Sequence, residues 1–110
     1  MPSKRILIVD DDPETLKLIG MILTRQGYTI VEATNSAMAL DKIQSDMPDL
    51  IILDIMMPVM DGYEIARRIR SIPAVTHIPI IMFTGKGTVA DKIAGFEAGT
   101  TDYLTKPTHP

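Results

Sequence analysis

The feature that most constrains this chain is a regular alternation of short apolar runs with stretches of helical spacing. Runs rich in β-branched residues or leucine are typical of strands, and apolar residues at three- and four-residue steps are typical of amphipathic helices. The runs are residues 6–9, 28–33, 50–53, 80–84 and 102–105. Strands joined through helices lie parallel, with helices on both faces of the sheet. The pattern therefore predicts one doubly wound α/β domain that comprises residues 1–110.

Boundary residues predict four helices between these strands. The first begins after an Asp12 N-cap and Pro13 and ends at Gly27, because a capping acid, an early proline and a left-handed glycine mark helix ends. The starts of the other three are Asn35 or Ser36, Asp61-Gly62 and Thr88. The side chains predicted to point inward are Leu16, Ile19, Leu23, Leu40, Ile43, Ile65, Ile69, Val89, Ile93 and Phe96, and those predicted to point outward are Leu18, Met21, Arg67, Arg68 and Arg70.

Charge and composition exclude several classes of protein. With 11 basic and 14 acidic side chains the net charge is −3, which gives no general attraction for nucleic acid or anionic lipid. The absence of cysteine excludes disulfides, zinc–thiolate sites and thiol catalysis. No apolar run approaches the ~20 residues of a membrane span, and the first residues do not form a signal peptide. We expect a cytoplasmic protein.

Polar residues follow four of the five predicted strands, at the edge where ligands of open parallel sheets bind. These residues are Asp10, Asp11 and Asp12 after the first strand, Asp54 after the third, Thr84 at the end of the fourth and Lys106 after the fifth. We assign Asp12 to helix capping. Acids that end two adjacent strands repel one another unless a cation joins them. Asp10, Asp11 and Asp54 therefore predict a site for a hard divalent ion, Mg²⁺, which carries water and a phosphate in its remaining positions.

A carboxylate can itself accept a phosphoryl group as an acyl phosphate. Asp54 is the preferred acceptor, because it stands alone after a central strand, whereas Asp10 and Asp11 form a pair suited to metal binding. Lys106 can neutralise one phosphoryl oxygen, and Thr84 can donate a hydrogen bond to another. The set predicts phosphoryl transfer to an aspartate.

Other nucleotide-binding and metal-binding motifs are absent or incomplete. Gly85-Lys86-Gly87-Thr88 lacks the spacing of a P-loop, and no Gly-x-Gly-x-x-Gly follows the first strand. His77 and His109 lack ligand spacing, so both are predicted to be surface residues. No nucleotide cofactor is expected.

The chain resembles the receiver domain of two-component response regulators over residues 5–107. The residues that carry the resemblance are Ile6-Leu7-Ile8-Val9-Asp10-Asp11, Asp54-x-x-Met57-Pro58-x-Met60-Asp61-Gly62, Thr84-Gly85 and Ala98-Gly99-x-x-Asp102-Tyr103-x-x-Lys106-Pro107. The resemblance implies a flavodoxin-like, five-stranded parallel sheet of order 2-1-3-4-5. It also implies a signalling domain that switches a protein-interaction surface and catalyses only its own phosphorylation and dephosphorylation.

The same resemblance implies roles for the rim residues. Asp54 would be phosphorylated by a histidine kinase or a histidine phosphotransfer protein. Mg²⁺ would be held by Asp11, Asp54 and the backbone carbonyl of Met56, with Asp10 acting through water. Thr84 and Tyr103 would form the switch that reports phosphorylation.

Two other functions compete with phosphoryl transfer to a signalling aspartate. An Mg²⁺-dependent phosphohydrolase with an aspartyl nucleophile usually has a second acid two residues later, where this chain has Met56. A phosphorylation-independent interaction module would not need Asp10, Asp11, Asp54, Thr84 and Lys106 together.

Partner surfaces are predicted at two places. Leu18 and Met21 face away from the inward stripe of the first helix and suggest a docking patch for the phosphodonor. Family members carry one more helix after Lys-Pro, whereas only Thr108, His109 and Pro110 follow Pro107 here. We therefore expect an uncovered sheet face and, through it, self-association, a partner that fills the gap, or marginal stability.

Overall fold

The computed structural model describes residues 3–55, 57–84 and 102–105. In chain order, the described elements are β1 (Arg5–Val9), α1 (Pro13–Arg25), β2 (Thr29–Ala33), α2 (Ser36–Asp46), β3 (Leu50–Asp54), α3 (Gly62–Arg70), β4 (Ile80–Thr84) and β5 (Asp102–Thr105). The sheet has five strands in the order β2-β1-β3-β4-β5, and all its pairings are parallel. The predicted α/β fold is confirmed.

Alternating residues of the strands pack on opposite faces of the sheet. Leu7 and Val9 of β1 lie in a buried cluster with Ala39 and Ile43 of α2 and with residues of α3. The even-numbered residues of the same strand lie in a second cluster against α1; its buried members are Ile6, Ile8, Leu16 and Ile52. Full burial of an isoleucine or leucine side chain stabilises a fold by about 1.5–3 kcal/mol. Among the described helices, α1 therefore packs on one face of the sheet and α2 and α3 pack on the other.

The described helices begin at capping side chains that the sequence predicted. Asp12 Oδ1 accepts a hydrogen bond from the amide of Glu14 at 3.2 Å, and Asn35 Oδ1 accepts one from the amide of Met38 at 2.8 Å. These bonds satisfy amides that have no partner inside the helix. After α1, Gly27 has a φ of +97°, the left-handed conformation expected for a helix stop.

Side-chain positions differ from the sequence predictions in a few places. Ile43 is fully buried as expected, and Ile19 and Leu23 pack against the core as predicted, whereas Leu40 is only partly buried. Arg70, predicted to point outward with Arg67 and Arg68, is instead half-buried against the connection between α3 and β4. Helical spacing alone does not reveal this, because the acceptors that hold Arg70 come from the segment after the helix.

The Arg70 guanidinium fastens the connection between α3 and β4. Its Nη1 donates to the carbonyls of Thr76 at 2.8 Å and Ile78 at 2.7 Å. In return, the hydroxyl of Thr76 donates to the carbonyl of Arg70 at 3.0 Å. Partial burial lowers the pKa of this guanidinium. Arg70 thus ties the end of α3 to the start of β4.

Other predictions concern residues that are not described. The fourth helix with its Thr88 cap and the chain after residue 105 lie outside the described residues. No helix in the described part of the chain is both long and apolar enough to cross a membrane.

Candidate functional site

The carboxyl ends of β1 and β3 lie side by side. Val9 and Leu53 are register partners, so Asp10 directly follows β1 beside the point where Asp54 ends β3. The amide of Asp10 donates to the carbonyl of Ala33 at 3.1 Å, which continues the pairing toward β2 by one bond. Strand register therefore positions the two acids at one edge of the sheet.

Asp10, Asp11 and Asp54 form an acidic cluster. One carboxylate oxygen from each can be chosen so that all lie within 4.8 Å of one another. Asp10 is 1% exposed and Asp54 is 5% exposed, whereas Asp11 is open to solvent. The three carboxylates that the sequence predicted to meet are thus brought together, two of them in surroundings that screen their mutual repulsion poorly.

The cluster has the donor chemistry of a magnesium site. Carboxylate oxygens are the ligands that Mg²⁺ prefers, and it is typically held by one or two carboxylates together with water and phosphate. A divalent cation would also offset the repulsion among Asp10, Asp11 and Asp54. The described residues fit this ion, and Asp11 would be reached from solvent.

Asp12 stands next to the cluster but has another role. Its Oδ2 accepts a 2.6 Å hydrogen bond from the hydroxyl of Thr15, in addition to the cap on α1. Its amide donates to Oδ1 of Asp10 at 3.0 Å. The assignment of Asp12 to capping agrees with this geometry, and its backbone also orients the Asp10 carboxylate.

The segment from Ile55 to Gly62 borders the cluster and leads into α3; the structure describes all of it except Met56. The carbonyl of Ile55 accepts hydrogen bonds from the amides of Met57 at 3.1 Å and Gly62 at 3.0 Å. Val59, at the tip, has a φ of +71° and a fully exposed side chain. Sequence reasoning treated Asp61 and Gly62 as a turn and helix start, and Asp61 indeed caps α3 through the amide of Glu64 at 3.0 Å.

The remaining rim residues are described less fully. Asp54 is the register partner of Phe83, so Thr84 ends β4 one residue further along, and Tyr103 lies in β5 opposite Met82. The side chains of Thr84 and Tyr103, and the whole of Met56 and Lys106, lie outside the described residues. Their predicted roles stay predictions.

The solvent-facing side of α1 carries several apolar side chains. Leu18 is 59% exposed and Met21 is 45% exposed, as the sequence predicted. Ile22, which sequence reasoning did not single out, is 52% exposed. We call Leu18, Met21 and Ile22 the α1 patch.

Comparison with known proteins identifies the family. The profile described as "Response regulator receiver domain" matches residues 6–110. The chain belongs to the response regulator receiver domain family. The transcriptional regulatory protein ResD of Bacillus subtilis (strain 168) is 47% identical over 106 residues, which cover 96% of this chain and 43% of ResD. The alkaline phosphatase synthesis transcriptional regulatory protein PhoP of the same organism is 40% identical over 108 residues, or 98% of this chain and 44% of PhoP. This receiver chain thus spans less than half the length of these relatives.

Solved structures of receiver domains superpose closely on this chain. The Vibrio cholerae chemotaxis protein CheY4 has a TM-score of 0.93 at 31% identity, with 98% of this chain and 90% of CheY4 covered. The BeF3-activated N-terminal receiver domain of Klebsiella pneumoniae RstA has a TM-score of 0.88 at 33% identity, with 97% and 89% covered. The fold and the family predicted from the sequence are therefore confirmed.

Proposed function

We propose that this receiver domain accepts a phosphoryl group on Asp54 and passes the signal on through a change in its protein-interaction surface. The observation that carries the proposal is the acidic cluster, in which the buried Asp54 carboxylate lies beside those of Asp10 and Asp11. Membership of the family supports the signalling role. The donor would be a phosphohistidine of a histidine kinase or a histidine phosphotransfer protein.

The chemistry is a displacement at phosphorus. A carboxylate oxygen of Asp54 forms a bond to phosphorus while the bond from phosphorus to the donor's imidazole nitrogen breaks, and the imidazole keeps the electron pair. Mg²⁺, when bound, neutralises charge on the phosphoryl oxygens.

The remaining rim residues have proposed roles around this reaction. Asp11, Asp54 and the backbone carbonyl of Met56 would hold Mg²⁺, with Asp10 acting through water. Lys106 would pair with one phosphoryl oxygen, and the hydroxyl of Thr84 would donate to another. Movement of Thr84 toward the phosphoryl group, with rotation of the Tyr103 ring, would form the switch.

The proposed role is that of a substrate and switch, rather than of an enzyme that turns over other molecules. The position two residues after Asp54 is Met56, which supports this reading over an aspartyl phosphohydrolase. Self-association stays a prediction. A cytoplasmic location is proposed because a cysteine-free chain is suited to a reducing compartment.

Acetyl phosphate with Mg²⁺ tests the phosphoacceptor directly. Intact-mass spectrometry of the wild-type protein should show one added phosphoryl group. Asp54→Asn should show none, because the substitution replaces the nucleophilic carboxylate with a neutral amide. Asp41→Asn, which changes an exposed acid on α2, is the matched control and should be labelled like the wild type. An unlabelled wild type, or a labelled Asp54→Asn, would sink the proposal.

A further inference from the structure

The first residue of α3 packs directly against the backbone that carries Asp54. A Cβ atom added at Gly62 would lie 2.5 Å from the carbonyl oxygen of Asp54, 3.0 Å from the Cα of Ile55 and 3.1 Å from the carbonyl carbon of Asp54. Contacts of 2.5 Å are far inside van der Waals distance, and backbone cannot rotate away as a flexible side chain can. Only glycine therefore permits this approach between α3 and the end of β3.

Backbone hydrogen bonds also hold the start of α3 against the end of β3. The amide of Gly62 donates to the carbonyl of Ile55 at 3.0 Å, and the amide of Met57 donates to the same oxygen at 3.1 Å. The two bonds fix the carbonyl of Ile55, the residue that directly follows Asp54. Gly62 is itself buried, so its amide depends on this hydrogen bond rather than on one to water.

The segment from Ile55 to Gly62 also has an unusual backbone conformation at its tip. Val59 has a φ of +71°, although its side chain is fully exposed and gains nothing from packing. A β-branched residue keeps a left-handed backbone only where the surrounding structure forces it to. Within the segment, the amide of Met60 donates to the carbonyl of Pro58 at 2.8 Å and closes a γ-turn centred on Val59, while the contact at Gly62 fixes the end of the segment that leads into α3.

We propose that Gly62 is a positioning residue for phosphoacceptor Asp54: by docking the start of α3 against the Asp54–Ile55 backbone, it sets where the Asp54 carboxylate stands relative to Asp10 and Asp11. The inference rests on the proposed function for its consequence in phosphotransfer, but the contact itself belongs to the protein alone. A displacement of about 1 Å at a reacting group can cost ~100-fold in rate. Loss of residues that orient metal ligands typically costs about 10–100-fold in affinity.

Gly62→Ala tests the inference, with Gly20→Ala as the matched control. A Cβ at Gly20 would meet only Ile30 Cγ2, at an ordinary 3.7 Å, so that variant adds the same atom without a clash. We expect Gly62→Ala to raise the Kd for Mg²⁺, measured by NMR titration, by about tenfold or more, and to slow labelling by acetyl phosphate. Gly20→Ala should leave both unchanged. Wild-type Mg²⁺ affinity in Gly62→Ala would overturn the inference.

Two further measurements separate positioning from general loss of stability. Ile69→Val shortens a fully buried side chain of α3 and should lower thermal stability while leaving Mg²⁺ affinity intact. In the metal-free protein, hydrogen exchange of the Met57 amide should speed up in Gly62→Ala but not in Ile69→Val. If Ile69→Val lost as much Mg²⁺ affinity as Gly62→Ala, general loss of stability would explain the effect, and the inference would be overturned.

A second variant keeps the test decisive if Gly62→Ala does not fold. Asp61→Ala removes the cap of α3 without adding an atom at the contact, and we expect a smaller rise in the Kd for Mg²⁺. Unchanged affinity there would also contradict the inference. If wild-type protein is not labelled by acetyl phosphate, the proposed function fails, whereas the Mg²⁺ and exchange measurements still decide the role of Gly62.

Discussion

Val59 has a backbone conformation that costs free energy in the folded protein. Its φ of +71° lies in the left-handed region, where an L-residue other than glycine is disfavoured by roughly 1–2 kcal/mol. Its side chain is exposed along its whole length, so packing does not offset this cost. The strain lies a few residues from Asp54, in the segment that Gly62 closes.

We predict that Val59→Gly stabilises the protein. Glycine removes the left-handed strain but makes the unfolded chain more flexible, so the net gain in unfolding free energy should be about 0.5–1 kcal/mol. Chemical denaturation measures it. Ala37→Gly, at an exposed position of α2 with ordinary helical backbone, is the control and should lose about 1 kcal/mol. Equal losses in the two variants would show that Val59 is not strained.

The acidic cluster could be predicted from the sequence, whereas the contact of Gly62 with the Asp54 backbone could not. Asp10 and Asp54 were predictable neighbours, because residues that end parallel strands meet at one edge of a sheet. Asp12 could be assigned to helix capping instead of the cluster, because it precedes a proline and a predicted helix. The need for glycine at position 62 was not predictable, since clearance to the Asp54 carbonyl depends on how α3 docks against β3.

The helices likewise combine features that the sequence predicts with features that it does not. Caps such as Asn35 and Asp61 were read from sequence because they act on amides within three residues. Arg70 was misassigned because its acceptors, the carbonyls of Thr76 and Ile78, belong to the connection beyond α3. Local contacts are encoded in local sequence, whereas contacts between an element and its neighbour depend on the path of the chain.

One helix presents an apolar surface to solvent. The α1 patch lies on the side of the helix opposite Leu16, which is buried against the sheet. Isolated exposed apolar residues are ordinary on proteins, but neighbouring ones on one side of a helix indicate a contact surface. We propose that the phosphodonor docks on this patch.

We predict that Leu18→Ala slows phosphotransfer from a phosphohistidine protein by about tenfold, corresponding to ~1.4 kcal/mol of lost contact energy. Labelling by acetyl phosphate should be unchanged, because so small a donor does not need the patch. Met38→Ala, a similarly exposed apolar residue on α2, is the control. Rates from the protein donor that match those of the wild type would exclude Leu18 from the docking surface.

In the whole molecule, the acidic cluster couples folding to the binding of a cation. Folding brings the carboxylates of Asp10, Asp11 and Asp54 together, and burial of two of them strengthens their repulsion. An ion that binds only the folded state stabilises it by mass action. The stability of this protein should therefore depend on divalent cations.

We predict that Mg²⁺ at one hundred times its Kd raises the unfolding free energy by about 2.7 kcal/mol, seen as a melting temperature several degrees higher. Sodium chloride at the same ionic strength is the control and should give a smaller rise. Asp54→Asn should be more stable than wild type without metal and should respond less to Mg²⁺. An equal response to both salts would mean that the cluster binds no specific ion.

The pairing of β1 between β2 and β3 also has a consequence for synthesis. Asp10 and Asp11 leave the ribosome early, but β1 gains its second neighbour only when β3 has emerged, with Asp54 at its end. Chains are made at about 5–20 residues per second, so a nascent chain carries an incomplete set of carboxylates for some seconds. During that interval the growing polypeptide has no assembled acidic cluster, so the proposed phosphodonor would have no complete site to label.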